Sequence, residues 1–312
     1  MSGKIVVAGV ASLAVHVAVD EFPVRYSPVC PPQWLNSGIG GAGAQIASIL
    51  QGFGNEVTLC TVVGPDAAGD LIRDGLRAGG LDGIGVVDGP GSSQTVVLVA
   101  PDGRRAVYPH LALVNAVEYP LATFSDALNG ADLAVLTNTD FVRALLPATV
   151  LRGVPIAVDV NVIADIDEPY YRPWLDVADI IFCSHERLPC SALTWIARIF
   201  ERYPGAAIAA VGCGRQGSVL GLRDGTLVSA DAVTPLGVRN TSSAGDSLFA
   251  AFLHGWLSTG NPVEALADAA LFAGWRIGHR DPIRELLTPM ELAALRSRHP
   301  VRVSVGRWDM LN

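Results

Sequence analysis

Short continuous runs of Val, Ile, Leu and Ala alternate along this chain with segments of helical period, and that alternation restricts the possible folds more than any other feature. The runs are Lys4 to Gly9, Val57 to Val63, Leu133 to Thr137, Pro155 to Val160, Ile180 to Cys183 and Ala207 to Val211. A strand wetted on one face alternates apolar and polar residues. Several of these runs do not, so they read as strands covered on both faces. Helical segments separate them: Gly43 to Gln51, Ala67 to Ala78, Leu121 to Leu128 and Ala192 to Tyr203. Right-handed crossovers then give a mostly parallel sheet between helix layers. The expected fold is α/β, a three-layer sandwich, read as one domain over residues 1–312.

Two stretches break the pattern. Val15 to Asp20 and Gln94 to Tyr108 show period-two patterning, with Pro101-Asp102-Gly103-Arg104 as a turn. Such strands suit a small β flap, or lid, built from about residues 14–37 and 94–110 and lying over one end of the sheet. The last third reads as helices at Ala244 to Leu257, Pro262 to Ile277 and Pro289 to Arg296, and the tail Val301 to Asn312 carries no clear pattern.

Composition excludes several functions. A net charge of −8 without a basic stripe argues against a nucleic-acid partner. No apolar run reaches membrane-spanning length, and the start lacks a signal-peptide pattern, so a cytoplasmic protein is expected. Cys30, Cys60, Cys183, Cys190 and Cys213 are widely spaced, as expected of reduced thiols. Lys4 is the only lysine, which removes the Gly-Lys-Ser/Thr phosphate loop and makes a Schiff base improbable. Phosphate, if handled, must be held by backbone amides and arginines.

The segment Asn240-Thr241-Ser242-Ser243-Ala244-Gly245-Asp246 opens a long apolar helix. A helix N-terminus offers unpaired N–H donors and partial positive charge, a seat for a phosphate or a developing oxyanion. Asp246 at the same end suits a general base. The segment is equally an ordinary capped helix start. Gly38-Ile39-Gly40-Gly41-Ala42-Gly43 matches the dinucleotide pattern, but Pro31-Pro32 and the residues after them supply no buried strand ahead of it. Gly40-Gly41 reads better as a joint where flap meets sheet, or as a tight packing turn. Asp159 and Asn161 end a buried strand, where open α/β sheets bind ligands.

With the glycine pair, the flap strands around it and the late Ala-Gly-Asp, the chain resembles the ribokinase (PfkB) family of carbohydrate and nucleoside kinases, from Lys4 to about Arg296. The resemblance implies transfer of the γ-phosphate of ATP to a primary hydroxyl of a sugar or nucleoside. Asp246 would be the base, and the amides of Ser243, Ala244 and Gly245 the anion hole. Ser12, Ala14, His16, Gly40, Gly41, Gln45, Asn115, Asp159 and Asn161 fall on the acceptor side. Ser184, Gly212, Gly214, Gly217, Asn240 and Thr241 fall on the nucleotide side. Mg²⁺ would arrive with ATP, and many members use a monovalent cation such as K⁺ near the anion hole; no metal-ligand cluster stands out. Pairing of two copies through the lid strands is also expected.

The chain departs from the family at several points. An Asp that grips sugar hydroxyls is replaced by Ala14, and the Asn closing the glycine motif by Gln45. The family's Asn-x-x-Glu falls on Ser184-His185-Glu186-Arg187, with Glu186 one residue out of register. The leading Asp of the anion-hole motif is Asn240. The lid doublet Arg104-Arg105 reads mainly as a solvated edge, with an anionic substrate as the other reading. These losses motivate a second reading, a non-catalytic binder on the same scaffold.

Overall fold

The computed structural model describes residues 3–309. Its main sheet runs in the order β14 (Val303–Arg307), β13 (Thr226–Ala230), β12 (Ser218–Leu222), β11 (Ile208–Gly212), β10 (Ile180–Ser184), β9 (Ile156–Val162), β8 (Leu133–Leu136), β1 (Lys4–Ala8), β4 (Glu56–Val63) and β5 (Val86–Asp88). From β11 to β5 every neighbouring pair is parallel. These strands include the continuous apolar runs, and their residues are enclosed on both faces.

One face is covered by α1 (Ala42–Gly52), α2 (Ala67–Ala78), α9 (Ala244–Thr259), α10 (Pro262–Arg276) and α11 (Pro289–Arg298), around a core that includes Ile46, Leu50, Phe249, Phe252 and Phe272. The other face carries α3 (Ala112–Asn115), α4 (Leu121–Ala127), α5 (Asp140–Arg143), α6 (Leu146–Arg152), α7 (Arg172–Leu175) and α8 (Ala192–Arg202), packed through Phe124, Trp174 and Trp195. This is the three-layer α/β sandwich. Local signals fix several helix starts: Asp66 accepts from Gly69 N at 2.7 Å, and Asn261 caps α10 just before Pro262.

A second sheet forms the lid, in the order β3 (Leu35–Gly40), β2 (Ser12–Ala18), β6 (Ser93–Val99) and β7 (Arg105–His110). The first lid strand begins at Ser12, not Val15, because Ser12 pairs with both Gly40 and Ser93. It ends before Asp20. Strand β3 lacks an apolar run and is instead held by antiparallel pairing to β2. The tail also differs from expectation. Residues 303–307 add β14 to the sheet edge, antiparallel to β13. The segment Gly212 to Gly217 is a turn from β11 into antiparallel β12, so this part of the chain contains the hairpin as well as the glycine loop. Among the described residues no helix is long and apolar enough to cross a membrane.

Candidate active site

Strands β9, β10 and β11 end beside the start of α9, at the edge of the sheet where carboxyl ends of parallel strands collect ligands in α/β folds. The turn into α9 is tightly specified. Asn240 is fully buried; its Oδ1 accepts from Ser242 N at 2.9 Å, and its Nδ2 donates to Arg280 O at 3.0 Å. Ser243, the residue before the helix, takes the left-handed conformation with φ 56°. A non-glycine residue there is strained by about 1 kcal/mol or more, so the surroundings must hold it. Ser247 does so from one turn later: its N–H and Oγ–H both donate to Ser243 O, at 2.9 and 2.5 Å.

The first turn of a helix has no internal acceptors for its N–H groups. The Ala244 amide turns back to Thr241 O at 3.3 Å. Among the described residues, no other backbone carbonyl outside the helix receives the amides of Ser243, Gly245 or Asp246. Three N–H donors are thus left without a carbonyl at a positive helix end, with Asp246 N among them in place of the expected Ala244 N. Asp246 is half-buried beside them. Burial pushes its carboxyl up, against a hydrogen bond from Ser243 and the charges of Arg276 and Arg105. Asp159 lies close by, since a Cβ added to Gly245 would stand 3.5 Å from Asp159 Oδ2. Its carboxyl is pushed up to about 7 by burial, despite the Asn161 N–H, with Asp246 adding like-charge repulsion.

Asn161 itself is left-handed, φ 57°, where the β9–β10 register breaks. Its N–H donates to Asp159 Oδ1 at 2.8 Å, and its Nδ2 to Asn138 Oδ1 at 3.2 Å. Asn138 was not visible as a site residue in the sequence. On the lid, Ser12, Ala14 and His16 share the buried face of β2. Ser12 Oγ bonds Thr95 Oγ1 at 2.9 Å, and His16 Nδ1 faces Asn240 Nδ2 at 3.2 Å. Ala14 is pressed against Gly40, where an added Cβ would come within 2.8 Å of its own Cβ.

Gly41 precedes α1 with φ 89°, and an added Cβ would fall 2.4 Å from Val10 O. The close packing of α1 on the end of β1 therefore accounts for the glycine by itself. Gln45 is buried and fully occupied: Nε2 donates to Ile39 O at 2.8 Å and Ile283 O at 3.3 Å, and Oε1 accepts from Arg276 Nη2 at 2.9 Å. It is turned to the protein interior in this conformation. Asn115 ends α3, which packs on α5 and β6, and its Oδ1 is enclosed without a partner.

On the other side, Ser184 Oγ accepts from Glu186 N at 3.3 Å, and His185 Nδ1 bonds Gly212 O at 2.9 Å. Gly214 and Gly217 both have positive φ, 56° and 90°, in the turn that follows β11. The arginine doublet divides. Arg104 pairs with Asp102 at 2.6 Å on the exposed lid edge. Arg105 turns inward, donating to Thr241 Oγ1 at 3.2 Å with Glu186 3.8 Å away. Thr241 in turn donates to Gly103 O at 2.8 Å, so the lid turn is seated on the loop before α9.

The family model for "pfkB family carbohydrate kinase" matches residues 3–289. The chain belongs to the pfkB family. It is 27% identical over 286 residues to the ATP-dependent ribose-1-phosphate kinase of Halopiger xanaduensis, covering 87% of this chain and 92% of that one. It is 25% identical over 274 residues to the acarbose 7(IV)-phosphotransferase of an Actinoplanes species, covering 86% and 90%. In structure it matches a microbiome-derived acarbose kinase with a TM-score of 0.82 at 21% identity, over 96% of this chain and all of the other (100%). The protein is thus a phosphotransferase of the pfkB carbohydrate-kinase class, and ATP follows from the family.

The side chain that stands out most near this turn is Arg276, at the end of α10. It has no exposed surface at all. Nη1 donates to Ser247 Oγ at 2.9 Å and Nη2 to Gln45 Oε1 at 2.9 Å, while Nε has no partner. Gln45, reaching across from α1, is the acceptor for this guanidinium. The sequence showed Arg276 only as a basic residue in a last helical turn, an unremarkable position; its i, i+4 relation to buried Phe272 was the available signal. A monovalent cation in this neighbourhood would meet two carbonyls that already accept N–H donors. Ile277 O already accepts from Arg239 N at 2.8 Å and Asn240 N at 3.1 Å, and Arg280 O accepts from Asn240 Nδ2. Both lone pairs of Ile277 O are thus engaged, and one of the two on Arg280 O.

Proposed function

We propose that this kinase transfers the γ-phosphoryl group of ATP to a primary hydroxyl of a sugar or nucleoside at the start of α9. The observation that carries the reading is the presence, at one helix end, of the unpartnered Ser243, Gly245 and Asp246 amides beside a half-buried carboxylate. Phosphoryl transfer needs alignment and charge neutralisation, and preorganised N–H donors supply both. Asp246, with its pKa raised by burial, is better matched to accepting a hydroxyl proton than a solvated aspartate. Asp246 takes the proton as the acceptor oxygen attacks phosphorus, and the amides receive the charge on the transferred oxygens.

The divalent ion that accompanies ATP would be held by Asp159, with Asn161 beside it. Asp159 is a buried carboxyl with no cationic partner among the described residues. No cluster of three acidic, His or Cys ligands occurs among them, so a single carboxylate would hold Mg²⁺ together with the phosphate oxygens it arrives with. When bound, the ion supplies charge neutralisation at the phosphates. Lid closure over the cleft, with Gly40-Gly41 as the joint, would exclude water from ATP. The acceptor meets a methyl group at Ala14 where the family presents a carboxylate, which favours a substrate without the usual hydroxyl pair there. The outer lid face, carrying exposed Leu35, Val96 and Tyr108, supports pairing of two copies through their lids.

The test is Asp246→Asn assayed for ADP release against a panel of sugars, sugar phosphates, aminosugars and nucleosides. The variant should fold normally and lose about 10³-fold or more in turnover. Activity within a few-fold of the parent would refute the assignment of the base. Binding of a panel member by the parent protein, without ADP formation, would favour the binder reading.

A further inference from the structure

We propose that Arg276 is the fixed cation of the phosphoryl seat, a positioning residue that holds the Ser243 turn and supplies internally the charge that a bound monovalent ion would otherwise bring. The inference rests on the seat proposed above.

A buried guanidinium is costly unless its charge is answered. Arg276 is completely enclosed, yet among the described residues no carboxylate lies within ion-pairing distance. Its hydrogen-bond partners, Ser247 Oγ and Gln45 Oε1, are both neutral, and Nε has none. The charged groups that face it are Asp246 on α9 and, from the segment after α10, Glu285 and Asp281. Arg105 reaches the same carboxylate, Asp246, from the lid side. Desolvation lowers the Arg276 pKa to about 10, which leaves it charged at neutral pH. None of these carboxylates closes an ion pair with Arg276, so part of its counter-charge is left for the transferring phosphoryl group to supply.

The hydrogen bonds give the charge a mechanical role as well. Arg276 donates to Ser247 Oγ, and Ser247 donates to the carbonyl of left-handed Ser243. One chain of donors thus runs from the buried cation to the residue whose conformation aims the amides. Gln45 ties the same guanidinium to α1 and, through Ile39 O, to the last lid strand residues before the glycine pair. The seat, the cation and the base of the lid share one connected network. Of the nearby carbonyls, Ile277 O already accepts two N–H donors and Arg280 O one.

The experiment uses the full chain, MgATP and an acceptor identified from the panel. Turnover is measured with potassium chloride and with choline chloride at equal ionic strength, together with thermal denaturation in both salts. Parent rates should agree within about two-fold, and potassium should not raise the melting temperature. Arg276→Met should lower kcat by about 10²-fold with little change in KM for ATP, whereas Arg276→Lys should recover part of the loss by restoring charge. Activation of the parent by potassium of tenfold or more would overturn the proposal. So would an Arg276→Met protein that melts earlier but turns over at the parental rate. If Arg276→Met does not fold, the salt comparison and the Lys variant still decide. Failure of the seat itself is seen separately, as an Asp246→Asn enzyme that remains active.

Discussion

Acidification should loosen the loop that precedes α9 through a single histidine. His16 is 2% exposed, and burial lowers its pKa from 6.5 to about 4. Asn240 is oriented by Ser242 N and Arg280 O, so its Nδ2 is a donor and His16 Nδ1 must accept from it. Protonating Nδ1 replaces that hydrogen bond with two opposed donors and buries a charge. The unfolded chain binds this proton more readily than the folded one between pH 6.5 and about 4. The contribution is therefore complete above pH 6.5, declines as pH falls through that window, and levels off below about 4. At about 1.36 kcal/mol per pKa unit the whole loss is about 3 kcal/mol, and at pH 5 it is about 2 kcal/mol. Urea denaturation at pH 7.5 and 5 (about 25 °C), for the parent and for His16→Gln, measures it. Other titrating groups are common to both proteins and cancel in the difference. The parent should lose about 2 kcal/mol more than the variant on acidification. Equal losses in the two proteins would refute the reasoning.

Further expectations concern the lid. Arg105→Gln removes the guanidinium that links β7 to Thr241 and faces Asp246, and should lower kcat/KM by about tenfold while leaving the melting temperature nearly unchanged; steady-state kinetics beside a thermal melt will show whether it does. Val96→Arg places a charge in the middle of the outer lid face. It should shift any dimer to monomer by about tenfold or more in dissociation constant, read by sedimentation equilibrium. A parent protein that sediments as a monomer at all concentrations would remove the lid-pairing proposal.

The architecture was legible where burial is two-sided. The apolar runs at β1, β4, β8, β9, β10 and β11 need no partner information, because covered strands are continuous in hydrophobicity. Strand β3 and the edge strand β14 were not legible, since pairing defines them and their own composition is mixed or polar. The same division holds for the site. Asp246 and the small residues before it stand out because their chemistry is local to one helix start. Arg276 and Gln45 meet across a separation of 231 residues, so neither side chain signals the other until α1, α9 and α10 are packed together. Arg105 and Arg104 are adjacent in sequence, but Arg104 lies in the turn while Arg105 opens β7, and their side chains go to different partners.

Lys4 opens β1 at the amino-terminal end of the parallel strands, with Nζ near Asn129 O and Glu56. The proposed chemistry lies at the far, carboxyl-terminal end of the same sheet. Apart from an α-amino group, amine-directed coupling to a bead or sensor surface has no amine other than Lys4 to find in this sequence. The protein should consequently attach by the rim opposite the cleft, leaving nucleotide and acceptor free to enter from solution.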